Sequence, residues 1–176
     1  MNHCPAGWES ERLKDRVRFA YGDSLAAEDR NDGEFKVFGS NGIVGTHDRA
    51  ITNGRTIIIG RKGSFGKVAW CDDPCFPIDT TYFVDSTQSK EDLRWIFYAL
   101  ESLQLDGLNF DSAVPGLSRE VAYSMRLAFP RKPEQQRIAA YLDASCAAID
   151  AAVPAKRRQI EALDGVRKDI IQKAVT

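Results

Sequence analysis

The chain has 176 residues, of which 28% are charged, and 24 Lys and Arg stand against 25 Asp and Glu for a formal net charge of −1. That length suits one globular domain with a helical appendage. The near-neutral balance excludes a protein that holds nucleic acid by bulk electrostatics, so any such role rests on local charge. Cys4, Cys71, Cys75 and Cys146 come with no leading signal segment and no apolar run long enough to span a bilayer, so the sequence predicts a cytoplasmic chain with reduced thiols and no membrane.

Gly7-Trp8, followed by Leu13 and Asp15, is a large aromatic ahead of a short amphipathic run that fixes the N-terminus onto the domain. A strand is predicted over Val17 to Tyr21, and the polar, glycine-bounded stretch Gly22 to Gly33 is a loop. Phe35 to Phe38 is a strand, Gly39-Ser40-Asn41-Gly42 its turn and Ile43-Val44 the return, since Asn-Gly supplies the positive φ of a tight turn. Thr56 to Ile59 is β-branched throughout, and Lys67 to Cys71 is its hairpin partner. Between them, Gly60-Arg61-Lys62-Gly63-Ser64-Phe65-Gly66 is glycine-rich and basic. Glycines let backbone approach a ligand closely, and Arg61, Lys62 and Lys67 have the chemistry to contact phosphates or a guanine edge.

Thr80 to Val84 is a further strand. From Ser89 as N-cap, with Glu91 and Asp92 in the first turn, Leu93, Ile96, Phe97, Leu100 and Leu103 trace a helix whose apolar face Trp95 and Tyr98 widen. Ser112 to Ser118 is a loop, Tyr123, Met125, Leu127 and Phe129 alternate as a strand, and Pro130 and Pro133 stop it. Beyond, Ile138, Leu142, Cys146, Ile149 and Val153 keep one helical stripe up to Pro154, and Ile160, Leu163, Ile170 and Ala174 form a second at near-heptad spacing among charged neighbours. The sequence predicts two helices joined at Pro154, the second pairing with another long helix that the chain itself does not offer. The fold class is α+β, a mixed β-sheet domain over residues 1–132 and a helical region over 133–176.

No catalytic constellation emerges. Gly60 to Lys67 departs from a P-loop, because five residues separate Gly60 from Gly66 and Val68 stands where Ser or Thr should ligate magnesium. Ile58-Ile59-Gly60-Arg61-Lys62-Gly63 resembles the RNA clamp of KH modules, although Val68 to Trp70 opposes the helix that should follow it. Cys71-Asp-Asp-Pro-Cys75 has loose spacing and only His3 and His47 for company, so it reads as a turn with two thiols and no metal site. The carboxylates from Asp85 to Glu120 read as a solvated face, opposite in sign to the Arg61 to Lys67 loop.

One ordered set of residues carries a family resemblance: Gly7-Trp8 with Leu13, Gly39-x-Asn41-Gly42-Ile43-x-Gly45, Ile58 to Gly63 with Ser64, Gly66 and Val68, Val114-Pro115-Gly116-Leu117, and Pro133-Glu134-Gln135-x-x-Ile138-Ala139-x-Tyr141-Leu142. In that order, and with Ile149-Asp150, Ile160-Glu161-x-Leu163 and Ile170-Ile171-x-x-Ala174-Val175-Thr176 after them, the chain resembles the specificity subunit of type I restriction-modification systems over nearly its whole length. The resemblance implies a non-catalytic subunit. Its target recognition domain reads one half of a bipartite site in double-stranded DNA, and its helices dock methyltransferase and restriction subunits. It also implies that S-adenosylmethionine and ATP are bound by those partner chains. A full family member has two recognition domains and two helical regions, whereas one of each is present here, so the expectation is either a half-sized subunit that pairs with itself or a piece of a longer chain.

The DNA-contacting residues expected on this reading are Ser40, Asn41, Arg61, Lys62, Gly63, Ser64, Lys67, Thr80, Thr81 and Tyr82. Those expected to dimerise or dock are Ile138, Leu142, Ile149, Val153, Ile160, Leu163, Ile170 and Ala174. Two rival readings stand beside it: a KH-like RNA-binding module, which requires helices on both sides of Gly60 to Gly63, and a coiled-coil adaptor with no nucleic-acid role.

Overall fold

The computed structural model describes residues 5–107 and 116–176. Cys4, His3, the Ser112 to Pro115 part of the predicted loop and the Val114-Pro115 half of its motif lie outside the described residues. The chain divides into two compact units, Met1–Gln136 and Arg137–Thr176.

In the first unit β1 (Glu9–Arg12) runs directly into α1 (Leu13–Arg16), followed by β2 (Ala20–Tyr21), β3 (Phe35–Gly39), β4 (Gly42–His47), β5 (Thr56–Gly60) and β6 (Val68–Cys71). Then come β7 (Cys75–Pro77), β8 (Thr81–Val84), α2 (Leu93–Ser102), α3 (Arg119–Ser124), β9 (Arg126–Phe129) and the first turn of α4 (Lys132–Val175). Antiparallel β2, β8, β5 and β6 form one sheet in that order. A second sheet has the order β4-β3-β7, its β3–β7 pair parallel, and β1 pairs antiparallel with β9. The β4-β3-β7 sheet is mixed, the other two are antiparallel, and the fold is α+β.

The β-branched run explains the centre. Every residue of β5 from Thr56 to Gly60 is buried, between β6 on one side and β8 on the other. Ile57, Ile58 and Ile59 therefore have both faces covered, and full burial of one such side chain contributes about 1.5–3 kcal/mol. The amphipathic α2 packs against β5 and β6 with Trp95, Ile96 and Leu100 buried. Cys71 and Cys75 sit in the core with Phe38 and Ile58, and burial pushes the Cys75 thiol well above the usual range. Among the described residues no group of His, Cys, Asp or Glu is placed to hold a metal ion.

Several predicted elements are corrected. The N-cap of α2 is Asp92, whose carboxylate accepts the Trp95 backbone N–H. Ser89 instead donates to the Arg16 carbonyl and accepts from the Glu91 N–H, which holds the approach to the helix as a turn. Tyr123 belongs to α3, capped by Ser118. The alternation that suggested a longer strand ends at Met125, because the pairing partner Glu9–Arg12 faces only Arg126–Phe129. Asp85 is buried, accepting N–H groups from Asn53 and Thr87, so it organises turns and is no part of a solvated face.

The region before α4 is fastened by Gln135, which is fully buried. Its carbonyl oxygen accepts the Asp92 N–H at 2.9 Å, and its Nε2 donates to Glu91 at 2.6 Å and to the Pro130 carbonyl at 2.9 Å. Gln135→Ala leaves those buried groups unpaired, and since each such loss costs about 1–3 kcal/mol, a destabilisation of about 2–4 kcal/mol is expected in urea unfolding. Gln135→Glu should recover little, because a carboxylate there faces Glu91 and a carbonyl with no proton to donate.

In the second unit α4 continues unbroken through Pro154 to Val175, correcting the predicted pair of helices. Proline's fixed φ is itself helical, and the interruption amounts to one missing N–H and a clash at the preceding turn. Residues 146–176 are exposed all round, so the freed carbonyl faces solvent and the helix resumes. By length and composition alone α4 is long and apolar enough to cross a membrane, where the sequence reading found no such run. Its alanine-rich apolar half carries Asp143 and Asp150, and a carboxylate at mid-bilayer costs about 2.5–3.5 kcal/mol.

Candidate nucleic-acid interface

Strands, not helices, flank the glycine loop: β5 and β6 pair from Thr56↔Cys71 to Ile59↔Val68. The helix–GXXG–helix geometry of a KH clamp is therefore absent. Glycine is required where the loop folds back on itself. A Cβ on Gly60 would lie 2.2 Å from the Ser64 carbonyl oxygen and 3.1 Å from that of Ser40. On Gly66, where φ is +76, it would lie 2.1 Å from the Asp106 nitrogen. Any side chain at these two positions would collide with backbone, so only glycine lets the loop lie this close to its surroundings.

Hydrogen bonds then fix its backbone. The Gly60 N–H donates to Lys67 and the Gly66 N–H to Gly60, both at 2.8 Å. The Arg61 and Lys62 N–H groups both donate to the Thr80 carbonyl, at 2.9 and 3.2 Å, while the Leu117 N–H donates to the Arg61 carbonyl at 2.9 Å. The β3–β4 turn comes alongside: Lys67 Nζ donates to Asn41 Oδ1 at 2.6 Å, and the Ser40 hydroxyl lies 3.5 Å from where a Gly63 Cβ would stand. A small cavity of about 120 Å³ between the two turns is lined by Ser40, Asn41, Gly60 and Lys67.

Ser40, Asn41, Arg61, Lys62, Gly63, Ser64, Lys67 and Thr80 are thus gathered at one end of the two hairpins, with Asn41, Lys62, Gly63 and Lys67 exposed. Thr81 and Tyr82 are not available there, because both are buried. The Thr81 hydroxyl donates to the Ile78 carbonyl and that of Tyr82 to Leu117. Burial pushes the Tyr82 phenol up to about 12 against the opposing pull of Arg61 and Arg119, so it stays a neutral donor. These two residues are supports, and what made them look like contacts was their place on a strand beside the loop.

Among the described residues no ion pair neutralises the charges on the loop. The ion pairs among the described residues involve Arg12, Arg16, His47 and Arg55. None involves Arg61, Lys62 or Lys67. Arg61 Nη1 donates to the Asp79 carbonyl at 2.8 Å, and its guanidinium lies over Tyr21 at 5.0 Å and Tyr82 at 5.9 Å from the ring centroids. Sequence reasoning missed Tyr21 and Arg119 at this edge; Arg119 carried a signal, as a cation just beyond the Gly116-Leu117 motif.

In the second unit the predicted docking residues form an open stripe. Ile149, Val153, Ile160, Leu163 and Ile170 are exposed, 42–62% each, together with Val166 and Ile171, which the heptad reading passes over. Ala174 is exposed as well, and Ile138 and Leu142 are partly covered.

Residues 5–162 match the family described as type I restriction modification DNA specificity domain. No curated protein matches the chain. Among solved structures, an S subunit of a type I restriction-modification system from M. genitalium is similar at 23% identity and a TM-score of 0.67, over 82% of this chain and 40% of that one. A structure described under complex assembly and conformational transition of the type I R-M system is similar at 19% identity and a TM-score of 0.70, over 91% of this chain and 43% of that one. An HsdS subunit from Thermoanaerobacter tengcongensis is similar at 18% identity and a TM-score of 0.63, over 85% and 40%. The chain spans about two fifths of the length of these solved chains.

Proposed function

The chain belongs to the family of type I restriction-modification DNA specificity domains, and from that premise we propose that it is a non-catalytic chain that reads one half of a bipartite target in double-stranded DNA. The observation that carries this reading is the β5–β6 loop, where Arg61, Lys62 and Lys67 stand on a backbone pinned at Gly60 and Gly66 with no carboxylate among the described residues paired to them. Cations on a loop whose backbone is already fixed suit a base edge or a phosphate, because little backbone freedom remains to be lost on binding.

Docked methyltransferase and restriction subunits would supply methyl transfer and cleavage, with S-adenosylmethionine and ATP bound on those chains, in the cytoplasm where the DNA is. Their phosphate contacts also supplement a chain whose own net charge is −1. The exposed stripe on α4 favours a homodimer, which would give two identical recognition units and an interrupted palindrome as target. Co-expression with a cognate methyltransferase subunit, followed by mapping of methylated positions, tests the reading. A bipartite methylated sequence is expected, and methylation at random or at a continuous site would refute it.

A further inference from the structure

Beside the cationic loop a second group of charges is built on aromatic rings. Tyr21, on the edge strand β2, is half exposed, and two guanidinium groups share it: Arg61 at 5.0 Å and Arg119 at 4.9 Å from the ring centroid. Arg119 also lies 5.8 Å from the ring of Tyr123. The rings beneath are themselves packed, Tyr21 on Tyr82 at 5.2 Å, Tyr82 on Phe19 at 5.8 Å and Phe19 on Tyr123 at 5.4 Å, and the Phe19 N–H donates to the Tyr123 hydroxyl at 2.7 Å. The platform is therefore rigid.

Two like charges on one ring repel, yet no carboxylate pairs with either among the described residues. Arg119 Nε is buried with no hydrogen-bond partner among the described residues, an unsatisfied donor that a purely structural role leaves unexplained. Each guanidinium keeps further N–H donors beyond the ring contact, and a single anion set between the two groups relieves the repulsion.

We infer that Tyr21, Arg61 and Arg119 form a clamp for a backbone phosphate of DNA, continuous through Arg61 with the β5–β6 loop. Arg119 is a positioning residue that reads no base. The inference rests on the DNA-recognition reading above. It adds that this edge grips the duplex independently of sequence, whereas the loop carries selectivity.

The test uses the full chain, a labelled random-sequence DNA duplex and a KCl titration followed by anisotropy, with binding to the mapped target measured alongside. One lost phosphate contact lowers the salt slope by about 0.9, which corresponds to about eightfold weaker binding at 0.1 M KCl. Arg119→Gln should show that loss on random and target duplexes alike, and Arg119→Lys should keep the slope. Tyr21→Leu, at an exposed ring, should weaken both duplexes in the same way and provides the answer if Arg119→Gln melts early. An unchanged slope in folded Arg119→Gln or Tyr21→Leu, with the unaltered chain still binding DNA, overturns the clamp and leaves the DNA reading standing. A change in preference at one base pair overturns the phosphate assignment. Failure of the unaltered chain to bind any duplex, alone or with the methyltransferase subunit, removes the DNA reading and the clamp with it.

Discussion

Replacing Arg61 and Lys62 together by alanine should weaken specific DNA binding by the assembled methyltransferase by about 2–4 kcal/mol, a loss of roughly thirtyfold to a thousandfold. The sum has two parts. A base contact by Lys62 is worth about 1–3 kcal/mol of discrimination, and the phosphate contact by Arg61 adds about eightfold at 0.1 M salt. The single variants separate the roles. Arg61→Ala should weaken every sequence alike, whereas Lys62→Ala should relax selectivity at one position of the target. Lys62 is exposed, so its removal leaves the fold intact. Arg61 also stacks on Tyr21 and Tyr82 and donates to Asp79, and loss of a partly exposed stack costs only about 0.5–1 kcal/mol. A thermal melt of the double variant within a few degrees of the unaltered chain, with target affinity unchanged, would remove the loop from the interface.

What the sequence made legible at this loop was local. A β-branched run, a glycine-bounded turn and a second strand within a few residues form the hairpin from neighbouring positions alone, and the cations lie inside it. The stack at its edge was not legible, since Tyr21 and Arg119 come together only because β2 pairs with β8 and α3 returns past Phe19. The β1–β9 pair was hidden for the same reason: Glu9–Arg12 is charged and short, and its partner Arg126–Phe129 lies far along the chain. Gln135 stood inside a motif, but its meaning is an exchange of hydrogen bonds with Asp92, Glu91 and Pro130 that spacing alone does not reveal. Thr81 and Tyr82 show the opposite error, polar residues whose hydroxyls satisfy backbone carbonyls inside the fold.

The intact chain should sediment as a dimer at micromolar concentration, and a version ending at Ala155 should sediment as a monomer. The reason lies in the α4 surface. Ile160, Leu163 and Ile170 are 61%, 62% and 62% exposed, and they recur at the spacing that faces a partner helix. Burying the rest of each contributes about 1–2 kcal/mol, so three from each of two chains offer about 6–12 kcal/mol before the cost of association. A micromolar dimer needs about 8 kcal/mol net, which makes the flanking Val166 and Ile171, exposed at 55% and 52%, necessary contributors. Arg167 interrupts the stripe between Leu163 and Ile170, so a carboxylate such as Glu161 or Asp164 of the second helix must lie near it for the seam to close. Since the helix continues through Pro154, truncation at Ala155 removes Ile160, Leu163, Val166, Ile170 and Ile171 together while leaving Met1–Gln136 untouched. A monomeric intact chain would remove the helical seam as a dimer interface, and a dimer undiminished by truncation would move that interface elsewhere in the chain.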